Sequence, residues 1–176
     1  MAFDGSVDRG LAYQLGALSL FASVAAIVTA LGFQYLGGYH PCPLCLMQRY
    51  AYYFAIPVLF VALALTAGGY RGWAGLLFFL VALGYLANTG LGVYHAGAEW
   101  KYWPGPDTCG GDQGVAATAG GLLKDLESIK VVRCDEASWR MLGLSFAGWN
   151  AAISFVLMAL TLRAAFAVQD GGANSR

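Results

Sequence analysis

The chain has 176 residues, of which 59% are hydrophobic and only 11% charged, whereas soluble domains carry roughly 25% charged residues. The deficit points to a surface solvated largely by lipid. Its 10 acidic and 10 basic residues cancel, so bulk electrostatics give no case for a nucleic-acid partner.

A membrane-spanning helix needs about 20 mostly apolar residues. The first such run covers 11–33, broken only by Gln14 and small hydroxyls. Asp4, Asp8 and Arg9 precede it, which is not the positive flank of a cleaved leader, and the run is too long for one. The second run, 46–67, carries Arg49 near its start and Pro57 in its interior, where the missing backbone donor predicts a kink. A tight Gly68-Gly69-Tyr70-Arg71-Gly72 turn leads into the third run, 73–94. The fourth covers 142–167 with Arg163 near its end, and Gly171 to Arg176 reads as a disordered tail. Four runs of this length are too long and too uninterrupted to be buried helices of a soluble protein. Their many alanines and glycines let helix backbones approach closely in lipid. Residues 1–176 therefore read as one all-α integral membrane domain, an antiparallel four-helix bundle.

Parity then places the two remaining connections, 34–45 and 95–141, on one side of the membrane. All four cysteines lie in or beside them. Charge does not orient the bundle, because Arg9, Arg71, Arg163 and Arg176 on one side are balanced by Lys101, Lys124, Lys130, Arg133 and Arg140 on the other. Sulfur chemistry does: paired cysteines persist on the oxidising side, so the termini are expected in the cytoplasm.

The first connection ends His40-Pro41-Cys42-Pro43-Leu44-Cys45. Cys42 and Cys45 form a Cys-X-X-Cys at the start of a helix, where N-terminal amides and a nearby cation lower thiol pKa. Arg49 follows Cys45 by one turn on the same face. A thiolate or a quinone oxygen would partner its charge; snorkelling to lipid headgroups is the alternative. Cys-X-X-Cys is also half of a zinc site. The other half would need Cys109, Cys134, His40 or His95, and the second pair lacks metal-knuckle spacing, so no metal is assigned. In the long connection, proline and glycine around Trp103-Pro104-Gly105-Pro106-Asp107-Thr108-Cys109 imply an exposed segment, suited either to attack by a partner or to a structural staple with Cys134. Between them Leu122, Leu123, Leu126 and Ile129 share one face of a predicted amphipathic helix lying in the membrane interface.

Together these residues resemble the disulfide bond formation protein B family (DsbB). The resemblance covers nearly the whole chain. It rests on Pro41-Cys42-Pro43-Leu44-Cys45 followed by Gln48-Arg49, Tyr94-His95 opening the long connection, Trp103-Pro104 before Cys109, and Cys134-Asp135-Glu136 followed by Trp139-Arg140 and Leu142-Gly143-Leu144-Ser145. It implies a bacterial inner-membrane oxidant in which Cys42 and Cys45 are the quinone-proximal pair and Cys109 and Cys134 the partner-facing pair. Arg49, Cys45 and His95 are then the quinone-associated residues. The implied partners are a periplasmic DsbA-like thioredoxin-fold oxidase, membrane lipid, and the quinone pool with its respiratory chain, with ubiquinone ahead of menaquinone as cofactor. Gln48 stands where some members carry an acidic residue. Rival readings are a vitamin K epoxide reductase-like oxidant, whose Cys-X-X-Cys falls late in the bundle, a paralogue serving one client, and a non-catalytic cysteine or metal-binding membrane protein.

Overall fold

A computed structural model describes residues 5–105 and 139–173 of the chain. Its helices are α1 (Gly5–Tyr35), α2 (Pro43–Ala67), α3 (Arg71–Glu99) and α4 (Phe146–Ala173), with a two-stranded hairpin, β1 (Arg140–Met141) and β2 (Leu144–Ser145), just before α4. All four helices are long and apolar enough to cross a membrane. Cysteines 109 and 134 and the amphipathic segment at 122–130 lie outside the described residues.

Helix boundaries differ from the sequence expectation, and two of the differences, at the cysteine end, have local reasons. Helix α3 runs past Tyr94 to Glu99, so His95 sits on a helix and does not open a loop. Nothing between Tyr94 and Glu99 breaks a helix. What stops it is a Schellman closure: the Lys101 N–H donates to the Ala98 carbonyl and the Tyr102 N–H to the Gly97 carbonyl, with Lys101 left-handed at φ 62°. Helix α4 begins at Phe146, not at 142, because Met141 to Leu144 form a hairpin turn with Leu142 at φ 54° and Gly143 at φ 82°, the positive pair that a tight two-residue turn needs. The Ser145 hydroxyl then accepts the Gly148 N–H and caps the helix start. At its far end α4 continues to Ala173, beyond the point where a tail was expected.

The bundle is built for lipid. Buried positions are mostly small or tightly packed, among them Ala12, Ala62, Ala164, Leu59, Phe78, Val81 and Leu157. Large apolar side chains such as Phe21, Phe60, Trp73 and Phe166 face outward, where acyl chains solvate them at no cost. Buried hydroxyls return to their own helices: Ser19, Thr66 and Thr161 bond the carbonyl four residues back. Helices α3 and α4 approach backbone to backbone at Gly92, where an added Cβ would lie 3.0 Å from the Ala151 Cβ and 3.1 Å from its backbone.

Aromatic rings tie the cysteine end together. Phe33 at the end of α1, Tyr39 in the first loop, Trp139 and Phe146 form one cluster, with Trp139 stacked on Phe146 at 4.8 Å between centroids. Trp103 stacks on Tyr94 and donates its indole N–H to the Tyr94 carbonyl at 2.8 Å. Both chain ends flanking residues 106–138 are thereby anchored at the end of the bundle that holds the first cysteine pair.

Gly92→Leu should force α3 from α4 and lower stability by about 1–3 kcal/mol, as overpacking does. Gly90→Leu is the control, since nothing lies within 4 Å of its Cβ position. A thermal melt of detergent-solubilised protein should show a lower midpoint for the first variant and little change for the second; equal midpoints would contradict the close approach.

Candidate functional site

The site grows from the start of α2. Cys42 is its N-cap, in extended conformation (φ −72°, ψ 165°), and Pro43 begins the helix with the fixed φ that suits that position. The capping atom is sulfur: Cys42 Sγ accepts the Cys45 N–H at 3.2 Å. The helix turn brings Cys45 Sγ to 2.7 Å from Cys42 Sγ. Cys42 is buried and Cys45 half-buried, both as free thiols. One helix turn thus orients the Cys42 sulfur and places its redox partner beside it.

The end of α3 closes over this pair. His95 is fully buried, with Nε2 3.7 Å from Cys42 Sγ. Its other nitrogen, Nδ1, accepts from the Gln48 amide at 2.9 Å. Gln48 Oε1 in turn accepts the Asn150 amide N–H at 2.7 Å, and Tyr52 donates its hydroxyl to Asn150 Oδ1 at 2.7 Å. Ser154 lies 3.1 Å from the Tyr52 hydroxyl and accepts the Asn88 amide at 2.9 Å. This chain of side chains joins α2, α3 and α4 and ends on the ring that faces Cys42. With the amides in this orientation the neutral imidazole carries its proton on Nε2, toward sulfur.

Glu99 follows His95 by one turn on the same face. It is buried at 8% exposure, with Oε1 3.8 Å from His95 Nε2 and Oε2 without a hydrogen-bond partner among the described residues.

Electrostatics favour a Cys42 thiolate. The Cys45 thiol donates to the Cys42 sulfur and is the largest influence; burial opposes it, and His95 adds to it, so the Cys42 pKa falls to about 5. At neutral pH the reduced pair holds its charge on Cys42.

Arg49 lies on the other flank. It is half-buried and donates to Gln34 Oε1 at 2.5 Å and to the Ala30 carbonyl at 3.4 Å. It shares a helix face with Cys45, but among the described residues its hydrogen bonds go to α1 and not to sulfur. The structure therefore gathers Cys42, Cys45 and His95 into one cluster, whose ligating atoms all lie within 4.8 Å of one another, and sets Arg49 against α1. The residues missed in the sequence are Asn150, Tyr52 and Glu99, and Gln48 is read there only as standing where some members carry an acidic residue, not as the partner of His95. Only Glu99 left a local trace, the His-X-X-X-Glu spacing, and that becomes a shared face only once α3 is seen to continue through it.

A membrane bundle with a reduced dithiol at the mouth of one helix, closed by a buried histidine, defines a multi-pass membrane protein of thiol–disulfide chemistry. Comparison with known proteins makes this specific. Residues 13–164 match the family model described as Disulfide bond formation protein DsbB, and the chain belongs to that family. Similar proteins named Disulfide bond formation protein B include one from Aromatoleum aromaticum, 33% identical over 86% of this chain and 87% of its own length. Another, from Verminephrobacter eiseniae, is 31% identical over 97% and 94%, and a third, from Paracidovorax citrulli, is 31% identical over 83% and 82%. No solved structure matches the chain. The protein is a membrane oxidoreductase of disulfide bond formation.

The thiolate assignment has a direct readout. Because only the thiolate is alkylated, iodoacetamide labelling of Cys42 in the reduced protein should have its midpoint near pH 5. The rate should be flat above about pH 6 and fall roughly tenfold per unit well below the midpoint. Cys45→Ala removes the largest cause and should move the midpoint up. A parent midpoint in the ordinary range of about 8–9 would contradict the geometry.

Proposed function

We propose that this protein reoxidises a periplasmic thioredoxin-like dithiol oxidase of the DsbA kind by thiol–disulfide exchange and passes the electrons to a quinone, ubiquinone ahead of menaquinone, in the bacterial inner membrane with both termini cytoplasmic. The observation that carries this reading is the dithiol at the start of α2, one sulfur buried against His95 and the other half-buried on the flank shared with Arg49.

Exchange begins when a thiolate of the reduced partner attacks Cys109 of a Cys109–Cys134 disulfide. Cys134 leaves as a thiolate and attacks Cys42 of the Cys42–Cys45 disulfide, and Cys45 leaves in turn carrying the electron pair. The partner's second thiol closes its own disulfide and frees Cys109, which recaptures Cys134 and releases Cys42. One partner disulfide is then formed, Cys109–Cys134 is restored, and two electrons rest on Cys42 and Cys45. Anchoring of Trp139 on Phe33 and Phe146 supports the inter-loop step, because Cys134 hangs from it by a tether of at most about 18 Å.

The donor set at Arg49 fits a quinone. Gln34 and the Ala30 carbonyl hold the guanidinium half-buried one turn after Cys45, leaving donors of the same fork for a carbonyl oxygen. Leu46, Met47 and Tyr50 are exposed beside it and offer an apolar approach from lipid. When bound there, a quinone supplies the two-electron, two-proton sink. Arg49 favours negative charge arriving on its carbonyl oxygens, His95 holds Cys42 in place, and Cys45 is the sulfur that faces the acceptor.

In a purified preparation with reduced partner and quinone, turnover should require all four cysteines. Cys109→Ser should stop partner oxidation. Arg49→Ala should raise the quinone concentration needed for half-maximal rate by about tenfold or more, the loss of one charge-assisted hydrogen bond. Full turnover by Cys45→Ser would overturn the proposed path, and an unchanged quinone dependence in Arg49→Ala would return Arg49 to a snorkelling role.

A further inference from the structure

The buried carboxylate of Glu99 has no part in that electron path, and its placement has a chemistry of its own. The geometry points to a redox-gated metal site: in the reduced protein, Cys42, Cys45, His95 and Glu99 together bind a borderline-soft divalent cation of the Zn2+ type, and the bound ion holds the dithiol out of the reaction.

Three donors, two sulfurs from the start of α2 and an imidazole from the end of α3, lie within 4.8 Å of one another, and the Glu99 carboxylate, one turn beyond the imidazole and 3.8 Å from its Nε2, would swing in as the fourth. The separations are near those a zinc ion would impose. Cys42 Sγ to His95 Nε2 is 3.7 Å, against about 3.6 Å for sulfur and nitrogen on one tetrahedral zinc. His95 Nε2 to Glu99 Oε1 is 3.8 Å, against about 3.4 Å. The sulfurs stand at 2.7 Å and must open by about 1 Å to share the ion, a side-chain rotation at Cys45, which is half-buried and not locked in the core. Glu99 independently indicates a missing partner, because it is a buried side chain whose Oε2 bonds nothing among the described residues. Ser145 and the Arg140 charge act on the same carboxylate, yet Oε2 itself stays unpaired among the described residues; buried carboxylate oxygens are rarely left so, and a bound cation would satisfy it.

The other nitrogen of the histidine is also provided for. A ligating histidine donates its other N–H to a neighbouring acceptor, which fixes the tautomer. His95 Nδ1 already faces the Gln48 amide. Gln48 and Asn150 keep their shape when their terminal amides rotate by half a turn, and the hydroxyls of Tyr52 and Ser154 turn freely. The chain can therefore run in reverse. His95 then donates from Nδ1 to Gln48, Gln48 to Asn150, Asn150 to Tyr52 and Tyr52 to Ser154, which leaves the Nε2 lone pair for the metal.

Gating follows from the sulfur chemistry. Thiolates bind zinc and a disulfide does not, so the Cys42–Cys45 disulfide has only a histidine and a carboxylate to offer. On binding at neutral pH the Cys45 proton leaves to solvent, Cys42 being a thiolate already, and no electrons move. The ion would arrest the enzyme in its reduced state until a chelator removed it.

The test uses the full-length Cys109→Ser/Cys134→Ser protein in detergent, so that Cys42 and Cys45 are the only thiols, with Zn2+ as the probe and a chromophoric chelator as competitor. The reduced protein should take up about one Zn2+ per chain, and the oxidised protein should take up none at the same concentrations. His95→Ala and the near-isosteric Glu99→Gln should each weaken binding by about 10–100-fold. Zinc-edge X-ray absorption on the reduced parent should read two sulfur and two nitrogen or oxygen neighbours, an outcome that does not depend on the variants folding. No stoichiometric binding by reduced protein, retention after oxidation, a coordination shell without sulfur or with sulfur alone, or folded variants that bind like the parent would each overturn the site. The assay contains neither thiol partner nor quinone, so its failure leaves the proposed electron path untouched.

Discussion

A histidine buried in a membrane bundle must find its hydrogen bonds inside the protein, and that requirement organises this molecule. His95 is buried within the bundle, so Gln48 meets its Nδ1, Asn150 meets Gln48, and Tyr52, Ser154 and Asn88 complete the chain. Polar groups left unpaired in such a medium cost several kcal/mol each. The network thus holds α2, α3 and α4 in one relative register, and that register sets Nε2 against Cys42. The redox geometry at one end of the bundle is a consequence of polar satisfaction in its interior.

The same constraint separates what the sequence shows from what it hides. Spans, parity and the Cys-X-X-Cys are legible because they are written locally: apolar runs have a length, loops have a side, and the pair has a spacing. The Arg49 position is legible as a residue one turn beyond Cys45, but its hydrogen bonds run to Gln34 and Ala30 on another helix, and no local pattern encodes that. Gln48, Asn150 and Tyr52 look like isolated polar residues until the helices are packed. Glu99 was hidden by the expectation that the span ends at Tyr94. Hydropathy falls there, yet the helix persists until Lys101 and Tyr102 close it, since hydrophobicity marks the membrane and backbone hydrogen bonding marks the helix.

Placing the reactive pair at a helix start gives one short segment three properties. The N-cap geometry aims the Cys42 sulfur, the following turn supplies Cys45 as donor to its thiolate, and the next turn carries Arg49 to the lipid-facing flank. In the proposed path, electrons enter through loop chemistry and leave through lipid, and this segment would join the two.

The account is tested most directly by a single turnover without any thiol partner. Protein retaining only Cys42 and Cys45 is reduced, freed of reductant and mixed anaerobically with quinone, and the quinone absorbance is followed. The account predicts loss of about one quinone per chain together with closure of the Cys42–Cys45 disulfide. Full retention of quinone while both thiols stay reduced would contradict it.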